Sequence, residues 1–177
     1  MPAAAWLYQA AEPTASCTQP QLIWKIRQNN PYPMPPSAPK EVIKVGAIEI
    51  RYILEGSETA GSLALFETTV PPSTRVPAPH RHVTYDETVY GLAGTCTFIV
   101  EGSENTLTPG QALFIPRGAV HQFINRGTDP ARFLVTVTPG VLSPDFFREV
   151  GAVMAAGGPP DLKRVAEIMQ RHGLQAV

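Results

Sequence analysis

The chain has 177 residues, 44% of them hydrophobic and 16% charged, enough to bury a core in one globular domain and too apolar for disorder. Its formal net charge is −1, and Lys163, Arg164 and Arg171 read as a solvated helix face, so no nucleic-acid partner is expected. No apolar run approaches the ~18 residues of a membrane span, so no membrane partner is expected either.

The first apolar stretch, Ala3 to Tyr8, is too short for the core of an export signal, and no Lys or Arg precedes Lys25. Thr14-Ala15-Ser16-Cys17 has the look of a lipoprotein cleavage site but lacks the charged start and apolar run that such a site needs. Cys17 and Cys96 form neither a paired framework nor a C-x-x-C motif, and a reducing, cytoplasmic location is expected. Of 19 prolines, six lie between Pro20 and Pro39, where they favour extended backbone without ladder hydrogen bonds. Residues 1–40 are therefore predicted as an arm. Its Trp6, Leu7, Leu22, Trp24 and Ile26 need a surface to cover, either the rest of the chain or a second copy.

Residues 41–140 alternate short β-runs with turns. The runs are Val42 to Val45, Ala47 to Leu54, Ser62 to Val70, Glu87 to Leu92, Cys96 to Val100, Ala112 to Ile115, Val120 to Ile124 and Ala131 to Val137. Gly or Pro breaks them at Gly46, Pro71-Pro72, Gly94, Pro109-Gly110 and Gly118. Many short strands at even spacing predict an all-β sandwich or closed barrel. Residues 141–177 change period. Ser143-Pro144 opens one amphipathic helix, with Phe146, Phe147, Val150, Val153 and Met154 on one face. Pro160 and Asp161 open a second, with Leu162, Val165, Ala166 and Met169 at helical spacing and Gly173 as its stop. Both are expected to cover barrel surface.

Three of the four histidines fall in two short stretches within the β-region. On a strand, residues two apart share a face, so His80 and His82 project side by side while Arg81 points away. Glu87 follows after room for a short turn, and Asp86 beside it faces the other way. His121 can join them only through the fold, and an inward His121 implies an inward Phe123. Three imidazoles and one carboxylate form an N3O set that suits Fe, Mn, Co, Ni, Cu or Zn. Phe66, Phe98 and Phe123 are candidate walls of a substrate pocket, with core packing the alternative, and Tyr85, Tyr90 and Phe114 are read as core. Asn125 is expected to hold a turn or strand end, and His172 to be a helix-end residue without a further role.

These stretches read His80-x-His82-x4-Glu87-x6-Gly94 and Gly110-x5-Pro116-x-Gly118-x2-His121-x3-Asn125. They resemble the two signature motifs of the cupin superfamily, with Thr74 where the first motif often has an opening glycine. The resemblance is strong over about residues 60–140, and the two terminal helices resemble those of small, quercetinase-like single-domain cupins. It implies a double-stranded β-helix, or jelly-roll barrel, with His80, His82, Glu87 and His121 as metal ligands. It also implies that Glu87 either ligates or acts as the catalytic base.

The expected function is that of a metal-dependent oxygenase acting on a small organic, aromatic or enolic molecule. The alternatives are a non-redox isomerase or lyase, in which the metal acts only as a Lewis acid, and a module that binds a small molecule without chemistry. Open strand edges and the proline-rich arm together lead to the expectation of a homodimer.

Overall fold

The computed structural model describes Ala38 and residues 40–76 and 78–177. The predicted arm, with Trp24, Ile26 and Cys17, lies almost wholly outside these residues. Eleven strands follow: β1 (Val42–Val45), β2 (Ile48–Leu54), β3 (Ala64–Val70), β4 (His80–His82), β5 (Asp86–Ala93), β6 (Cys96–Val100), β7 (Ser103–Leu107), β8 (Ala112–Ile115), β9 (His121–Ile124), β10 (Ala131–Thr138) and β11 (Leu174–Ala176). Two helices, α1 (Pro144–Ala155) and α2 (Leu162–Arg171), lie between β10 and β11.

The strands form a six-stranded sheet, in the order β1-β2-β3-β10-β5-β8, and a five-stranded sheet, β11-β4-β9-β6-β7. Alternation along each strand decides what faces inward. In β3 it buries Ala64, Phe66, Thr68 and Val70, and in β10 Ala131, Phe133, Val135 and Val137. Antiparallel register sets Val135 opposite Phe66, so the buried rows meet. The same alternation turns Tyr90 (44% exposed) and Phe114 (59%) outward, against the core role expected for them, because Val89 and Ile115 take the inward positions.

The chain crosses between the sheets at two places that matter for the site. One lies between β4 and β5, just before Glu87, and the other between β8 and β9, just before His121. The break predicted at Gly118 is a turn, closed by the Ala119 amide donating to the Pro116 carbonyl (3.1 Å), with Gly118 at φ +86°. It does not fold β9 back on β8 as a hairpin, since these strands belong to different sheets. At the motif position where Thr74 replaces glycine, the left-handed conformation is taken by Ser73 instead (φ +57°).

Two strands were not legible in the sequence. In β7, Ser-Glu-Asn-Thr-Leu, only Leu107 is buried, so the run has no apolar alternation to read. β11 has three residues and follows α2 directly. Asp161 caps α2 by accepting from the Arg164 amide (3.0 Å). Ser143 stands at the N-cap of α1, but its hydroxyl makes no capping bond, contrary to expectation; Pro144 starts that helix. Among the described residues no helix is long and apolar enough to cross a membrane. Cys96 is a buried free thiol, as its place in an apolar run implied.

Asn125 ends β9 and is wholly buried. Its Nδ2 donates to the carbonyls of Val70 (2.9 Å) and Asp129 (2.8 Å), and its Oδ1 accepts from the Gly127 amide (2.8 Å). It thus ties the two sheets together at one end of the barrel. Asn125→Ala strands these backbone groups and is expected to lower unfolding stability by about 2–3 kcal/mol. The change should appear in urea denaturation as a lower midpoint at unchanged slope.

Candidate metal centre

β4 turns His80 and His82 inward, with 8% and 3% exposure, while Arg81 points out and donates to Gln175 of β11 (2.9 and 2.7 Å). On the neighbouring strand His121 lies directly across from His80, and their rings are 4.4 Å apart. One ligand atom from each of His80, His82 and His121 falls within 4.8 Å of the others, so these three histidines are positioned to bind a metal ion. Glu87 approaches from the opposite sheet. Its Oε2 is 3.5 Å from His82 Nε2 and 3.7 Å from His121 Nε2. The four side chains therefore converge from both walls of the barrel.

Backbone contacts prepare the imidazoles as ligands. His80 Nδ1 lies 3.3 Å from the Ala78 carbonyl and His121 Nδ1 lies 3.1 Å from the Ala119 carbonyl. A carbonyl only accepts, so each Nδ1 carries a proton, which in the neutral ring leaves Nε2 its lone pair. His82 Nδ1 has no such partner among the described residues. Its ring is instead stacked on the fully buried Tyr85 at 4.3 Å and 26°. Tyr85 is thus core, as predicted, but it also sets the plane of a metal-site histidine, which the sequence did not reveal.

Burial, with repulsion from the other two imidazoles, lowers the His80 pKa from 6.5 to about 3. Burial lowers that of His82 to about 4. On His121 burial also opposes charge, but the Glu87 carboxylate more than offsets it, and the pKa lies above 6.5. For Glu87 burial alone would favour the neutral acid, yet the surrounding histidines bring its pKa down to about 2. Burial thus favours the neutral form of His80 and His82, while Glu87 favours the charged form of His121.

The turn before β9 is held to the start of β5. Asp86 faces away from the centre and accepts from the Arg117 amide (2.9 Å) and from its guanidinium (3.1 and 2.7 Å). The Gly118 amide donates to the His82 carbonyl (2.8 Å). β11 flanks β4 with Leu174 opposite His82 and Ala176 opposite His80. His172, at the end of α2, contacts Glu149 (2.9 Å) and lies outside the centre.

A cavity of about 270 Å3 opens beside the centre, and His80, His82 and Glu87 form part of its wall. Phe66 and Phe123 line it, as the strand faces implied. Phe98 does not: it is fully buried behind Phe123 and Phe133, at ring distances of 5.5 and 5.3 Å. The sequence missed the part played by the helices. Phe146, Phe147 and Val150 of α1 and Val165 and Met169 of α2 close the cavity rather than merely covering the barrel's outside. Their amphipathic faces were legible, but the surface they meet was not.

Residues 66–137 match the family model described as a cupin domain. Over those residues the chain carries a cupin domain. Among curated relatives, the chain is 37% identical over 60 residues to the tetracenomycin polyketide synthase protein TcmJ of Streptomyces glaucescens. That stretch is 34% of this chain and only 40% of the relative. Among solved structures it is similar to a predicted oxalate decarboxylase from Thermotoga maritima, with TM-score 0.51 and 22% identity over 58% of this chain and 92% of that one. KdgF from Halomonas sp. has TM-score 0.50 and 19% identity over 56% and 86%. At these identities the solved structures bear on the fold alone.

The protonation pattern gives a signed expectation for cation binding. With pKa values well below 6.5, His80 and His82 are already neutral in neutral to mildly acidic solution and release no proton when a cation binds. His121 is raised above 6.5 and must lose its proton. Apparent zinc affinity should therefore fall about tenfold per pH unit as pH drops below the His121 value, for loss of one proton. Chelator competition at several pH values measures this slope, and about a thousandfold per unit would show all three imidazoles titrating.

Proposed function

We propose that this protein is a metal-dependent oxygenase acting on a small organic substrate of aromatic or enolic character. The supporting observation is the conjunction of three buried histidines and one carboxylate with an otherwise hydrocarbon-walled cavity. His80, His82 and His121 would hold one divalent transition-metal ion, with Glu87 as fourth ligand. When bound, such an ion supplies Lewis acidity toward a substrate oxygen and, if it is iron or copper, one-electron chemistry toward dioxygen.

The protein's own groups favour one kind of substrate. Three neutral imidazoles contribute no charge, and one carboxylate leaves a dication with net charge +1, which attracts an enolate or phenolate. Glu87 is held ionised to about pH 2, so it is always available as an acceptor but is a weak base. It suits a hydroxyl that is already acidic, such as an enol or phenol, and not an ordinary alcohol. The match to a protein named for polyketide synthesis supports the same class, because polyketide chains carry enolisable carbonyls. Oxalate fits less well: no Lys or Arg among the described lining residues could pair its second carboxylate.

Elemental analysis of the freshly purified protein, followed by oxygen uptake with a compact enolic substrate such as acetylacetone, tests this reading. Stoichiometric iron or copper with substrate-dependent uptake is expected. His82→Ala should lose the metal and at least 99% of the uptake while keeping the barrel's circular dichroism. Turnover that continues without oxygen would move the assignment to an isomerase or lyase. Ligand-induced stabilisation without turnover would indicate a binding module.

A further inference from the structure

The polar groups of the cavity are few. His80, His82 and Glu87 stand together at one end, Thr68 adds a single hydroxyl further along the sheet, opposite Phe133, and every other described residue of the lining is apolar. The helices supply an apolar wall of Phe147, Val165 and Met169, with Leu162 and Ala166 lining the cavity at its solvent-exposed edge. Among the described residues no Lys, Arg, Asn, Gln, Ser or Tyr reaches it. A volume of about 270 Å3 lies at the lower end for small-molecule sites and holds on the order of ten to fifteen non-hydrogen atoms at protein packing density.

We propose that the substrate is a compact one-headed molecule, with its oxygens gathered at the metal end and a flat hydrocarbon body of about two fused rings under α1 and α2. This rests on the reading that a metal ion sits at the three histidines. Desolvation sets this preference. A hydroxyl carried to the helix wall loses its water partners and gains none, and a charged group there loses far more. A saccharide has hydroxyls all round, and a phosphorylated compound needs a cation at its second pole. Both are disfavoured by what the lining lacks. An apolar wall discriminates only modestly against one added hydroxyl, by up to about a hundredfold, but strongly against an added anion.

The test uses the full chain loaded with zinc, which is redox-silent, and calorimetric titration with three probes that share one catechol head. These are catechol, 2,3-dihydroxynaphthalene and 2,3-dihydroxynaphthalene-6-sulfonate. The naphthalenediol is expected to bind at least tenfold more tightly than catechol and at least a hundredfold more tightly than the sulfonate. Ala166 lines the cavity at the exposed edge of the helix wall, so Ala166→Lys can place a cation there with little disturbance to packing. That variant should narrow the sulfonate gap at least tenfold at unchanged zinc content.

Zinc is quantified on the same samples. Absence of zinc from the wild-type protein would remove the metal reading and this proposal with it. Zinc-loaded protein that binds the sulfonate or catechol as tightly as the naphthalenediol would overturn the substrate class alone. An unchanged sulfonate gap in Ala166→Lys would overturn the placement of the body under the helices.

Discussion

β4 has three residues, and its register determines whether there is a site at all. Shifted by one position, it would turn Arg81 into the barrel and both histidines out to solvent. So short a strand cannot fix its own register. It is held by the pairing of His80 with His121 on one side and by β11 on the other. The Gly118 amide, bonded to the His82 carbonyl, adds a third restraint. The last strand of the chain thus braces the strand that carries two of the three histidines. The helix before it supplies Val165 and Met169 to the cavity wall. One C-terminal segment therefore supports the centre and closes the space beside it.

Burying three imidazoles and a carboxylate in an apolar barrel works against folding stability, and the structure offsets only part of this. The backbone carbonyls of Ala78 and Ala119 hold two Nδ1 protons, and Glu87 and His121 each favour the other's charged form. His80 and His82 stay uncharged because charging them there would be costly. Such a cluster contributes little to the core that Phe98, Phe133 and Val89 could not provide more simply. Its retention at the edge of a cavity is what a functional centre looks like in physical terms. The same arrangement leaves the imidazoles ready to bind a cation with almost no rearrangement of the protein.

Much of this was legible in the sequence because it depends on periodicity. The two-residue step of His80 and His82 fixed their common face, and His121 placed Phe123 on the cavity side. Asp86 and Arg81 face away from the centre and Asn125 holds a strand end, as their positions implied, although their partners Arg117, Gln175, Val70 and Asp129 could not be read in advance. What escaped depends on packing between distant segments. Phe98 and Phe123 pair across neighbouring strands, and only the layering of Phe133 against both shows which one meets the cavity. β7 lacked an apolar signal because it is almost wholly exposed, and β11 was too short to have a period. Tyr85 could be read as buried, but not as the ring beneath His82.

The central claim is that His80, His82 and His121 share one metal ion at the end of an apolar cavity. X-ray absorption of the zinc-loaded protein, compared with the His121→Ala variant, tests it most directly. The account predicts a first shell of nitrogen and oxygen ligands at about 2.0–2.1 Å, without sulfur, with imidazole scattering that fits three rings, and a variant that either loses its zinc or shows two rings. A sulfur shell, or imidazole scattering unchanged by loss of His121, would contradict it.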